Sequence, residues 1–189
     1  MTGAMIVLNA IRRLHDGFFG AIERLAGNWF TGLAARFVFA AVLFVYFYNS
    51  WTTKVGTGFP GMLQPQITAY YQIVPWAAGG ELGLFDHLVV LAGTWAELAL
   101  PVLIVAGLFT RVAALGMIAF IAVQTFVDVS FHGVDAETIG AWFDRFPGAV
   151  IADQRLLWLF LLSILVIRGG GAVSLDGLLS RLPGGATRH

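Results

Sequence analysis

Leu88–Phe109 reads LVVLAGTWAELALPVLIVAGLF, Thr110-Arg111 follows, and Val112–Phe131 reads VAALGMIAFIAVQTFVDVSF. A helix that crosses a bilayer needs about 20 mostly apolar residues. Each run meets that length, and the two residues between them leave room only for a tight antiparallel hairpin. Two more runs qualify, at about Leu33–Trp51 and at about Leu156–Ile167. The last reaches full length only with Val150, Ile151 and Gln154 at its start. The reading is an all-α membrane protein, a four-transmembrane-helix antiparallel bundle.

The whole chain agrees. Of its 189 residues 58% are hydrophobic and 12% charged, and the mean hydropathy is +0.81. Soluble domains carry roughly 25% charged residues. Net charge is zero, which gives no footprint for nucleic acid. There is no cysteine, so disulfides, thiolate metal sites and a dithiol relay within the chain are excluded. Charges at Arg12, Arg13, Asp16, Glu23 and Arg24 interrupt the first 30 residues, which therefore do not read as a cleavable signal peptide.

Basic residues set the expected orientation. With the N-terminus in the cytoplasm, the inner segments hold Arg12, Arg13, Arg24, Arg111, Arg168, Arg181 and Arg188. The outer ones hold Lys54, Arg145 and Arg155 together with most of the acids. Both termini are then cytoplasmic. Residues 1–32 are expected to form an amphipathic helix on that face, 33–180 the bundle, and 181–189 a flexible tail. Val7, Ile11, Leu14, Phe18, Ile22 and Leu25 recur at helical spacing, which suits the lipid interface. Between spans three and four, Ile139, Trp142, Phe143 and Phe146 form a short amphipathic pattern that Asp135 is placed to cap.

Ionisable groups within spans are costly, by about 2.5–3.5 kcal/mol at the centre on insertion scales, and need a partner or a cavity. Glu97 lies mid-span, four residues before Pro101, whose ring frees a carbonyl and invites a kink. Arg36 is the obvious countercharge, although it lies about six residues, or roughly 9 Å, from the centre of its span. Snorkelling of Arg36 to headgroups is the plain alternative. Gln124, Asp128 and His132 recur at four-residue spacing on one helical face. With Asn49, Tyr46 and His87 at similar depth, they outline a polar funnel with Glu97 at its floor. A solvated girdle at the boundary is the competing reading. His87, Asp128 and His132 as metal ligands, or His87 and His132 as haem ligands, are weaker readings, and neither a metal nor a haem is assigned. No phosphate-binding loop or nucleophile elbow is present.

The sequence resembles the DoxX family of small four-span bacterial membrane proteins. Ala35-Arg36-Phe37 opens the first span and Lys54 follows it. Glu97 through Pro101 to Gly107-Leu108-Phe109-Thr110-Arg111 is similar to the family's glutamate, apolar run and hairpin. Gly169-Gly170-Gly171-Ala172-Val173-Ser174-Leu175-Asp176 resembles its closing segment. By position Arg36, Glu97, Arg111, Ser174 and Asp176 carry the pattern. Asp176 is expected to cap a helix or to pair with Arg111. The usual glycine in the first span is replaced around Ala40 and Ala41.

The resemblance implies a bacterial inner-membrane protein, an accessory subunit of a quinone/quinol-linked or redox-defence system. A quinone is then the expected cofactor. Phe44, Tyr46, Trp95 and Phe120 are candidate walls for it. A non-enzymatic scaffold or assembly factor for a membrane or periplasmic partner is the alternative, and a small metal- or solute-handling protein the third. Membrane lipids and further copies of the chain are the other expected partners.

Overall fold

The computed structural model describes residues 3–77 and 80–181. Helix α1 (Gly3–Phe39) runs through a π-helical turn (Ala40–Phe44) into α2 (Val45–Thr52). Helix α3 (Ile67–Ile73) lies in the following loop. Then come α4 (Leu84–Ala106), α5 (Thr110–Phe131) and the one-turn α6 (Ala136–Ile139). A second π-helical turn (Val150–Gln154) leads into α7 (Arg155–Arg168), and α8 (Leu175–Leu179) closes the described chain.

Four segments are long and apolar enough to span a bilayer: Trp29–Thr52, Leu84–Ala106, Thr110–Phe131 and Val150–Arg168. The shortest, 19 residues, is about 28 Å long at about 1.5 Å per residue, close to the hydrocarbon thickness. The spans form a closed ring: α2 packs on α4, α4 on α5, α5 on α7, and α7 on α1. Buried side chains recur at three- and four-residue spacing, as one face of each helix requires. Phe39, Leu43 and Phe47 meet Ile104, Met117, Ile121, Leu162 and Leu165 in a single core. Val42, Leu115, Leu157 and Phe160 point outward, as lipid-facing positions do.

Two expectations need correction. The hairpin turn is Gly107-Leu108-Phe109, and Thr110 and Arg111 already belong to α5, whose first turn Asp176 caps. The amphipathic segment shrinks to α6. Asp135 does cap it, accepting from Thr138 N, but Trp142, Phe143 and Phe146 lie beyond it and are exposed. The N-terminal helix meets the first span across a break at Gly27 (φ 44°, ψ −166°), a backbone conformation suited to glycine. Its apolar residues Val7, Ile11, Leu14, Phe18, Ile22 and Leu25 are exposed. Residues 182–189, most of the expected tail, lie outside the described residues.

Helix α4 continues unbroken through Pro101. The loop after α2 folds back on the bundle. Gln66 N donates to Lys54 O (2.7 Å) and Thr68 Oγ1 to Thr53 O (2.7 Å). Ala69 and Val74 pack on Val90 of α4. This loop forms a roof over one end of the bundle and holds Lys54 inside it.

Candidate functional site

The ends of the ring differ in how they treat charge. At one end Arg36 reaches four carbonyls. Nε donates to Ile104 O (3.1 Å), Nη2 to Val105 O (2.5 Å), and Nη1 to Gly170 O (3.3 Å) and Val173 O (2.5 Å). Ile104 and Val105 lie in the last turn of α4, where Ile104 O also accepts from Gly107 N (3.1 Å) and the helix dipole favours a cation. Arg36 is therefore neither the partner of Glu97 nor a free headgroup ligand; it pins α4 to the glycine-rich segment. Asp176 completes the knot. Its carboxylate accepts from Phe109 N (2.7 Å), Thr110 N (2.9 Å) and Thr110 Oγ1 (2.7 Å), and its own N donates to Gly107 O (2.8 Å). The helix-capping expectation for Asp176 holds, while Arg111 is exposed and takes no part in these bonds. Ser174 caps α8, accepting from Gly177 N (3.0 Å). Gly107, at φ 71°, has no room for a side chain, since a Cβ would lie 2.6 Å from that of Ser174.

At the other end Glu97, 2% exposed, faces Lys54, 5% exposed. Lys54 Nζ donates to Ser50 Oγ (2.8 Å) and Ser50 O (3.2 Å), and lies 2.7 Å from Glu97 Oε2. The ammonium thus sits between the Ser50 oxygens and the Glu97 carboxylate, which it holds as a buried ion pair. Lys54 is thus the countercharge that sequence reasoning assigned to Arg36. The clue was the four-residue spacing of Ser50 and Lys54, which continues the helical face past the end of the hydropathic run.

Beside this pair opens a cavity of about 610 Å³ between α4, α5, the end of α2 and the roof helix α3. Small residues make the room: Ala92, Gly93 and Ala96 on α4, and Gly116 and Ala119 on α5. The lining is mainly apolar, with Ile73, Leu100, Phe120, Val123 and Val127. Glu97 and Lys54 supply charge, and Ser50, Gln72, Gln124, Asp128 and His132 complete the polar set.

Four of the seven expected funnel residues therefore share one cavity: Glu97, Gln124, Asp128 and His132. The other three do not line it. Tyr46 stands behind Gln124, whose Nε2 donates to its hydroxyl (3.2 Å). His87 Nδ1 is 2.8 Å from the Tyr70 hydroxyl. Asn49 accepts from Thr52 Oγ1 through its backbone carbonyl (2.7 Å). Of the expected walls only Phe120 lines the cavity; Phe44, Tyr46 and Trp95 do not.

Asp128 is clamped. Oδ1 is 2.9 Å from His132 Nδ1, and Oδ2 accepts from Arg155 Nη2. Arg155 Nη1 donates to Thr125 Oγ1 (2.7 Å). Arg155, read from the sequence as a surface charge, is 5% exposed, and Asp128 is its counterion rather than a solvated girdle residue. A smaller cavity of about 310 Å³ lies on the Arg155 side of this pair, with Trp142 among its lining residues. Among the described residues no three His, Asp or Glu side chains converge as metal ligands.

Fold and site together define a class: a four-span membrane protein with an internal Lys–Glu ion pair beside a mainly apolar cavity. The DoxX family model matches residues 31–133, more than half the chain, and the chain belongs to the DoxX family. The matched stretch holds Arg36, Lys54, Glu97 and every residue lining the cavity. No curated protein and no solved structure matches the chain.

Proposed function

We propose that this protein is an accessory membrane subunit of a redox system and that the cavity between α4 and α5 is its site for a quinone-class ring. One observation carries the reading: an apolar slot of about 610 Å³ with a buried ion pair in its wall. Ligand sites of this kind are mostly apolar, with a few placed polar groups that fix orientation. Quinone chemistry also needs a proton path. Glu97, Gln124, Asp128 and His132 line one continuous cavity wall.

On this reading the protein lies in a bacterial inner membrane with its Arg36 end toward the cytoplasm. Lys54 and Arg155 are buried in ion pairs. Arg145 is then the one solvent-facing cation among the three basic residues of the opposite end, which accentuates the basic asymmetry. The exposed apolar face of α1 fits the interface of the same leaflet.

The test is a titration of the detergent-purified protein with short-chain benzoquinones and naphthoquinones, followed by difference absorbance. A saturable perturbation that Leu100→Trp, which fills the cavity, abolishes is the expected result. No perturbation at saturating quinone sinks the reading.

A second reading, a scaffold for a partner protein, draws on Trp142, Phe143 and Phe146, all exposed in the loop before the fourth span. Co-purification of one defined partner that survives Leu100→Trp and fails with Phe143→Ser would favour it.

A further inference from the structure

We infer that the bundle binds the headgroup of an anionic phospholipid in a second cavity, beside the Arg36 knot. This site is separate from the cavity between α4 and α5 and does not depend on what that cavity holds.

Two cations come together there. Arg111 is the second residue of α5 and Arg168 the last of α7. These helices are consecutive spans that pack on each other, so the start of one meets the end of the other. A Cβ on Gly169 would lie 3.4 Å from Arg111 Nε. The Arg111 side chain therefore rests against the residue that follows Arg168. Both arginines are exposed, and both line a cavity of about 640 Å³.

The lining has positive charge to spare. Asp176 is its one acid. The oxygens of Asp176 already accept from Phe109 N, Thr110 N and Thr110 Oγ1. Among the described residues Arg111 has no ion-pair partner. It also stands in the first turn of a helix, where the dipole opposes a cation. An anion bound here offsets both the pairing of like charges and the unfavourable dipole. The planar guanidinium fork matches phosphate oxygens in particular.

Depth and surroundings select a lipid over a free phosphate. Thr110 and Arg168 are the terminal residues of two spans, so the arginines sit where hydrocarbon gives way to headgroups. Trp29, Phe109 and Val112 line the same cavity and are exposed. Trp29 opens the first span, and tryptophan favours this boundary. These side chains offer apolar surface beside the cations for the upper part of an acyl chain. A free phosphate would use the cations alone. A choline headgroup would bring its own cation into a lining that is already positive, so a lipid of net negative charge fits better. Basic pockets between spans hold anionic headgroups in this way.

The experiment titrates the purified full chain, in a neutral detergent, with phosphatidylglycerol or with phosphatidylcholine of the same chains. Retained lipid is counted by native mass spectrometry. Phosphatidylglycerol is expected to bind about fivefold tighter or more. Arg111→Gln should weaken its binding about fivefold, the effect of one cation at an anionic surface. Arg111→Lys, which keeps the charge, should retain most of the affinity. Arg145→Gln makes the same change of net charge at the opposite end and should have no effect. Equal binding of the two lipids overturns the inference. So does undiminished binding in Arg111→Gln, or an equal loss in Arg145→Gln. Glycerol phosphate, which has the phosphate without the chains, is added last as a competitor. Displacement of the lipid by an equal concentration of it would assign the site to a soluble phosphate ester and overturn the lipid reading.

Discussion

Arg36 and Lys54 are two cations near opposite ends of the first span, and their surroundings are opposites. Arg36 is answered by neutral carbonyls at the end of α4 and in the glycine-rich segment after α7. Lys54 is answered by an acid inside the bundle, beside a cavity. The first arrangement is closed: each bond serves to hold backbone segments together. The second carries a buried charge pair that packing alone does not call for, since apolar residues of similar volume often stabilise a fold as well as a buried ion pair. Who answers a charge, more than how deep it lies, separates a fastener from a site.

The largest effect should come from splitting the Lys54–Glu97 pair. Lys54→Met leaves a carboxyl buried without its countercharge and should lower stability by about 3–5 kcal/mol, read as a fall in the thermal midpoint in detergent. The double change Lys54→Met with Glu97→Leu should regain most of that loss while binding of the ring ligand stays absent. A double variant that stays as unstable as the single one would make the pair structural.

The knot should respond in the opposite sense. A lysine in place of Arg36 keeps the charge but not the planar fork that spans four carbonyls. Arg36→Lys should cost about 1–3 kcal/mol and leave ligand affinity unchanged. A changed affinity would mean that the two ends are coupled.

The smallest effect lies outside the bundle, at Asp135. The backbone N–H of Thr138, and then its hydroxyl, hold this carboxyl below the usual aspartate range. The cap therefore contributes fully above the ordinary aspartate pKa and is lost as pH falls through the depressed value. Chemical shifts of the Thr138 amide followed to acid pH should report a single titration below that of a free aspartate, with the spans unaffected.

The spans were legible because the cost of bare backbone in hydrocarbon writes itself as long apolar runs. Asp135 and Asp176 were legible as caps, being local or tied to a turn. The stack of Gln124, Asp128 and His132 followed from helical spacing, and the structure brings all three to one cavity with Glu97. The pairings were not legible. Hydropathy ends the first span near Trp51, so Lys54 counted as a loop residue until the roof segment folded it back. Arg155 and Asp128 lie 27 residues apart, and nothing in either neighbourhood names the other. Arg36 was the nearest cation by span membership, and span membership says nothing about angle around the helix.

That angle has a source in the first span. The wide turn at Ala40–Phe44 interrupts the regular winding between Phe39 and Val45, and such turns recur at functional sites. One residue more or fewer rotates everything downstream by about 100°. Excising a single residue there would leave hydrophobicity, length and every named side chain nearly intact, yet swing Ser50 and Lys54 away from Glu97 toward a neighbouring face. The chemistry of the cavity is in this sense a matter of phase, dialled in about ten residues upstream by a stretch of alanine, valine, leucine and phenylalanine that carries no polar side chain.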